Sequence, residues 1–211
     1  MKNKQQENPF DLRASSWDET SRRVKLASDV ADVIIRETNP TKDMVVLDLG
    51  CGTGLLTLRL QPLVKHITGA DSSGKMLEVL HQKVADQRLT NIQTQLVDLD
   101  GGALLHGKFN LIVSSMTFHH LEKPDEVINQ CFKILLPSGY LAFADLDQED
   151  GSFHENNEGV HHQGFDRDYL KRLLSQAGFV EIRDMTATTV VKERGEQGKQ
   201  EYTVFLIVGK K

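Results

Sequence analysis

The chemistry concentrates first in Asp48-Leu49-Gly50-Cys51-Gly52-Thr53-Gly54, where three glycines alternate with small residues directly after an apolar run. Glycines at such a turn permit tight backbone geometry and let a ligand approach the main chain closely. A helix opening after the turn offers free N–H groups and a positive dipole end to a carboxylate or a phosphate. On these features alone the ligand is a dinucleotide, a nucleoside triphosphate or an amino-acid conjugate.

Three details divide these ligands. No Gly-Lys-Ser/Thr follows the turn, so the lysine of a phosphate-binding loop is missing. The glycine spacing is G-x-G-x-G, and Leu55 stands where a dinucleotide fingerprint has its third glycine. Asp48, two residues ahead of Gly50, repels a pyrophosphate and suits an ammonium group. A ligand carrying both ammonium and carboxylate fits this turn. Asp71 follows about twenty residues later, where a carboxylate accepts hydrogen bonds from both ribose hydroxyls. Asp98 ends a third strand pattern. Carboxylates at three successive strand tips, Asp48, Asp71 and Asp98, address an amine, a ribose and an adenine amino group in turn, which describes S-adenosylmethionine. Asp98 also has a plainer reading, as the cap of the turn before Gly101-Gly102, and Cys51 reads as a small residue whose backbone matters more than its thiol.

These residues need a scaffold of alternating strands and helices. A helix is expected from Ser21 to the Asn39-Pro40 stop, because Val24, Ala27, Val30, Ala31, Ile34 and Ile35 recur at helical spacing. Met44 to Leu49 reads as a strand buried on both faces, with Leu55 to Leu60 opening the next helix. Further strands are expected at His66 to Ala70, Ile92 to Val97, Phe109 to Ser114 and Tyr140 to Leu146. Helices are expected around Met76 to Val84, from Pro124 until Pro137-Ser138-Gly139, and from Asp166 to Ala177. Phe179 to Thr188 and Glu201 to Val208 have no helix between them, so they form a hairpin in which one strand opposes the rest. The predicted fold is a doubly wound, Rossmann-like α/β sheet of seven strands, mostly parallel, with an antiparallel C-terminal edge hairpin and helices on both faces. Residues 1–20 form an N-terminal arm and 21–211 a single domain with an insertion, or lid, at 145–168.

The run VLDLGCGTG, with Asp71, Asp98 and the strand FNLIVSS, resembles the class I S-adenosylmethionine-dependent methyltransferases, and within them the small-molecule, quinone-biosynthesis-like branch. The likeness runs from about Met44 to the C-terminus and includes the closing hairpin. It implies that Asp48, Gly50, Cys51, Gly52 and Gly54 surround the methionine part of the cofactor and that Asp71 binds ribose. By the same resemblance Ser72 and Met76 lie near the adenosine, Asp98 and Leu99 meet the adenine edge, and Ser114 lies beneath the cofactor.

A sulfonium already activates its methyl group, so in-line transfer to leave S-adenosylhomocysteine asks mainly for orientation and desolvation. A base is needed for a hydroxyl or carbon acceptor, and His119 and His120, following the fourth strand, are the catalytic candidates. The long polar run from Asp145 to Asp168 is a candidate substrate lid, with His154, His161 or His162 facing the acceptor. Asp147, Glu149, His154 and His161 are an alternative metal set, but their spacing matches no metal motif and no metal is assigned from it. Phe10 and Trp17 are candidates to cover the cofactor.

The chain has 211 residues and a formal net charge of −5, which speaks against a phosphate-neutralising surface and hence against nucleic acid. No apolar run approaches the length needed to cross a bilayer, and Cys51 and Cys131 suit a reducing compartment, so a cytoplasmic location with no membrane partner is expected. The expected partner is a small-molecule substrate. Two other readings stay open at this point: a catalytically silent module that senses the cofactor or its demethylated product, and a nicotinamide dehydrogenase.

Overall fold

In the computed structural model, which describes residues 8–194 and 198–211, the apolar run Val45–Leu49 forms β1 in the sheet interior. It is followed by α2 (Leu55–Leu60), β2 (His66–Asp71), α3 (Gly74–Asp86) and β3 (Ile92–Leu96), while α1 (Ser21–Thr38) precedes it. Then come β4 (Phe109–Ser115), α4 (Pro124–Ile134), β5 (Leu135–Leu146), α5 (Arg167–Ala177), β6 (Val180–Glu193) and β7 (Lys199–Lys210). The sheet order is β3-β2-β1-β4-β5-β7-β6. β1 pairs in parallel with β2 on one side and β4 on the other, so the chain winds outward in both directions from β1. The carboxyl ends of β1 and β4 therefore flank the switch point, where open α/β sheets leave a crevice.

Two apolar clusters sandwich the sheet. Val30, Ala31 and Ile34 of α1 with Leu56 and Leu60 of α2 bury one face; Val127, Ile128 and Cys131 of α4 with Leu170 and Leu174 of α5 bury the other. Strand residues between them, such as Val46, Ile112 and Phe143, are fully enclosed, which is why these strands read as unbroken apolar runs.

The expected elements are present, with shifts at their ends. The C-terminal hairpin lies at the sheet edge, but its reversed strand is β7, inserted between β5 and β6 and antiparallel to both. Both of its strands run longer than their apolar cores, because polar residues on a twisted ribbon extend pairing to Glu193 and Lys199; residues 195–197 lie outside the described residues. Helix α4 stops at Ile134, ahead of the predicted Pro137-Ser138-Gly139 terminus. Those three residues sit in β5 at a register shift opposite Phe109 and Leu111, with Ser138 at φ 64°, and Pro137 has no N–H to offer a regular ladder. β3 ends at Leu96, so Asp98 falls in the following turn and does not end the strand.

Candidate functional site

The turn after β1 has the backbone that only glycine adopts readily: Gly50, Gly52 and Gly54 have φ of 70°, 53° and 85°. A Cβ on Gly50 would stand 2.1 Å from Thr117 Oγ1, and one on Gly54 would stand 2.4 Å from Leu80. A Cβ on Gly52 would meet nothing within 4 Å, so this bend faces free space. The Gly50 and Cys51 N–H groups both donate to the Ala70 carbonyl, fastening the turn to the tip of β2. Helix α2, opened by Gly54, is only six residues long, so its dipole is small.

Asp48 lies beneath this bend, 1% exposed, and accepts a 2.6 Å hydrogen bond from the Thr57 hydroxyl. Burial pushes its carboxyl up to about 7, opposed by the Thr57 bond and assisted by the charge of Asp71. Asp71 ends β2 with its two oxygens held apart, Oδ2 accepting from the Gly52 N–H at 2.7 Å and Oδ1 from the Ser73 N–H at 2.8 Å. Burial raises its pKa above the ordinary carboxylate value, against the pull of those N–H groups. Each oxygen keeps a further acceptor position, so the two hold the geometry to receive a pair of hydroxyls. Cys51 packs with Leu77 and Leu80, and burial followed by the charges of Asp48 and Asp71 raises its pKa well above the usual thiol value.

The arm lies across these tips. Residues Asp11–Glu19 form a 3₁₀ segment; Asn8 donates to Ser72 Oγ at 3.2 Å, and Asp11 accepts from Ser73 Oγ at 2.5 Å. Asp18 accepts from the Thr53 hydroxyl at 2.6 Å and pairs with Lys83. Beyond the turn, the Phe10 ring meets His120 edge-on at 4.9 Å and Trp17 at 6.0 Å, with Arg23 over Trp17 at 4.0 Å. Residues 1–7 of the expected arm lie outside the described residues.

Above β4 and β5 the insertion folds back. Phe165 N–H donates to the Leu146 carbonyl and Gln148 N–H to the Phe165 carbonyl, closing a neck that carries His154 and Gly159 over a 3₁₀ turn at Phe118–His120. His119 is 1% exposed; its Nδ1 lies 2.7 Å from Asp145 Oδ1, and its N–H donates to Asp145 Oδ2 at 3.1 Å. His120 Nδ1 donates to the Gly159 carbonyl at 2.6 Å. His154 completes the group, with ring centroids 5.0 Å from His119 and 5.7 Å from His120. Burial, then the neighbouring His119, lowers His120 to about 3 and His154 to about 4, so both rings are neutral at pH 7. Burial alone would raise Asp145, but His119 and the Leu146 and His119 N–H groups hold it below its ordinary value.

The geometry brings together Asp48, Gly50, Cys51, Gly52, Gly54, Asp71 and Ser72 around one bend, with Met76 buried beneath the Ser73 cap of α3. Ser114 is buried and donates to the Leu49 carbonyl at 2.7 Å, stitching β4 to β1. Asp98 is exposed and accepts from the Gly101 N–H at 3.0 Å within its own turn, while Leu99 leans on the core. The candidate metal set of Asp147, Glu149, His154 and His161 is not assembled. Asp147 is held by Arg167 at 2.6 Å and by Thr203, Glu149 caps Phe153, and His161 is exposed. His162 turns to the Leu121 carbonyl at 3.0 Å. Sequence reasoning missed Thr117, Asp145, Asp11 and Asp18. Their signal was a polar residue at a strand tip or in the arm, without any spacing to say which tip it meets.

The family described as a methyltransferase domain matches residues 21–183. A Schizosaccharomyces pombe protein described as an uncharacterized methyltransferase is 33% identical over 190 residues, covering 80% of this chain and 67% of that one. A ubiquinone biosynthesis O-methyltransferase of Albidiferax ferrireducens is 28% identical over 115 residues; the match covers 54% of this chain and only 46% of that relative. Among solved structures, phosphoethanolamine N-methyltransferase 2 of Haemonchus contortus, in complex with S-adenosyl-L-methionine, superposes with a TM-score of 0.70 at 12% identity, over 97% of this chain and 60% of that one.

Proposed function

This chain belongs to the methyltransferase-domain family and is a class I S-adenosylmethionine-dependent methyltransferase, and from that premise we propose that its acceptor is a small molecule held between the arm and the insertion. The nicotinamide reading of the glycine turn is overturned by the family match. S-adenosylmethionine supplies, when bound, a methyl group already activated by its sulfonium. The residues present suit it: the bend at Gly52 has room where a side chain would stand, and Asp71 offers two fixed acceptor oxygens. In this reading Gly50, Cys51, Gly52 and Gly54 line the methionine side, with Asp48 and Ser114 bracing the bend from beneath. Asp71 and Ser72 hold the ribose side, and Met76 and Leu99 back the adenosine; Asp98, engaged by its own turn, contributes from the rim.

One observation carries the choice of acceptor. The arm and the insertion meet over the tips of β1 and β4, where Phe10 touches His120 and His120 is tied to Gly159. A lid of arm and insertion over the tips suits a small acceptor shielded from water, and a net charge of −5 speaks against a polyphosphate polymer. The name of the Albidiferax relative, an O-methyltransferase of ubiquinone biosynthesis, agrees with a small acceptor. His119 and His120 are the proposed groups that face it.

The test is transfer of labelled methyl to cell-extract fractions, alongside calorimetry with S-adenosylmethionine. Label should enter the low-molecular-weight fraction, and Asp71→Ala should weaken cofactor binding by about 2–3 kcal/mol, roughly 30–150-fold. Label found only in protein or nucleic acid would reject the small-molecule reading.

A further inference from the structure

The imidazole cluster above β4 and β5 has a chemistry that neither cofactor binding nor the fold explains. Buried polar nitrogens are nearly always paired, yet His119 Nε2 and His154 Nε2 are buried with no hydrogen-bond partner among the described residues. One ring nitrogen from each of His119, His120 and His154 lies within 4.8 Å of the others. The outer bonds are already made: His119 Nδ1 to Asp145 Oδ1 at 2.7 Å and His120 Nδ1 to the Gly159 carbonyl at 2.6 Å. An imidazole fixed through Nδ1 to a carboxylate or a carbonyl leaves Nε2 as a lone-pair donor, which is how ligating histidines are oriented.

We propose that His119, His120 and His154 form a site for one divalent ion of the Zn²⁺, Co²⁺ or Ni²⁺ class, with Asp145 and the Gly159 carbonyl as its outer partners. Three imidazole nitrogen donors suit such borderline ions and not Mg²⁺ or Ca²⁺, which favour oxygen. At Zn–N distances of about 2.0–2.1 Å, tetrahedral ligands stand roughly 3.3 Å apart. The ion therefore draws the rings inward, and His154, carried on a loop, is the one able to follow. Three protein ligands leave a fourth position for water or an acceptor heteroatom. That acceptor role rests on the small-molecule reading above; ion binding does not.

Untagged protein stripped with a chelator is titrated with Co²⁺ and then Zn²⁺. One Co²⁺ per chain with visible ligand-field bands, displaced by Zn²⁺, is the expected result. His154→Ala and His120→Ala should each abolish the bands, and Asp145→Asn should weaken binding about 10–100-fold. Zn²⁺ should raise the unfolding midpoint of the wild type and leave that of His154→Ala unmoved. Calorimetry with S-adenosylmethionine on the same metal-free samples reports the cofactor reading separately, because His154 lies outside the glycine bend. Bands that persist in the His120→Ala/His154→Ala double variant, or no Co²⁺ retained at micromolar concentration, overturn the proposal.

Discussion

At Asp48, a carboxylate that the sequence sets beside an ammonium group is sealed under the glycine bend with Thr57 as its donor. Its folded pKa of about 7 stands well above the value of about 3.9 expected in the unfolded chain. The native state therefore binds more protons than the unfolded state between those values, and stability falls as pH rises from about 4 to about 7, then levels. Asp48→Asn removes that slope. Compared with wild type it should gain stability across this window, up to about 4 kcal/mol near pH 8, since each pKa unit is worth about 1.4 kcal/mol. Urea midpoints measured every half pH unit give the answer, and parallel curves for the two proteins would contradict it.

At the scale of elements, the 3₁₀ arm Asp11–Glu19 shows how little of a segment's position comes from its own pattern. It buries only Ala14, yet its Asp11, Asp18 and Trp17, with Phe10 just ahead of it, each find a partner elsewhere in the chain. Such a segment contributes little to the core and is held in place by contacts to the strand tips. Removing residues 1–19 should leave a folded domain whose affinity for S-adenosylmethionine falls by about 1–3 kcal/mol, on the order of the two or three hydrogen bonds lost at the cleft. Circular dichroism checks the first part and calorimetry the second. Unchanged affinity would show the arm to be mere packing on α1. The insertion obeys the same logic in reverse: its neck is ordinary backbone pairing, and its value lies in carrying His154 and Gly159 to the tip of β4.

For the whole molecule, β7 is the member that joins the edge hairpin to the parallel sheet, and its residues Val204 to Val208 have no exposure. Phe205 meets Phe143 edge-on at 6.2 Å on the face covered by α4 and α5, far along the sheet from the glycine bend. Phe205→Ala should cost about 3–5 kcal/mol, the usual price of an aromatic cavity in a core. The loss belongs to global unfolding, so the folded fraction should bind cofactor as the wild type does. A variant that unfolds normally but loses affinity would place Phe205 in the binding cleft, against this account.

The strand-and-helix order, the glycine bend and the Asp71 position were legible from the sequence because each rests on local physics: hydrophobic period, positive φ, and spacing within one βαβ unit. The element ends were less legible, as at Pro137-Ser138-Gly139, where a sequence stop signal became a bulge once Lys211 and β4 supplied partners for that backbone. For Asp98 the sequence offered two readings, and the hydrogen bond it accepts from the Gly101 N–H of its own turn became visible only in the structure. His119, His120 and Asp145 could be seen as polar residues near strand tips, but their meeting with His154 depends on β4 and β5 lying side by side and on the insertion folding back over them. Contacts such as His119 to Asp145, 26 residues apart, carry no periodicity in the chain, so only packing decides them.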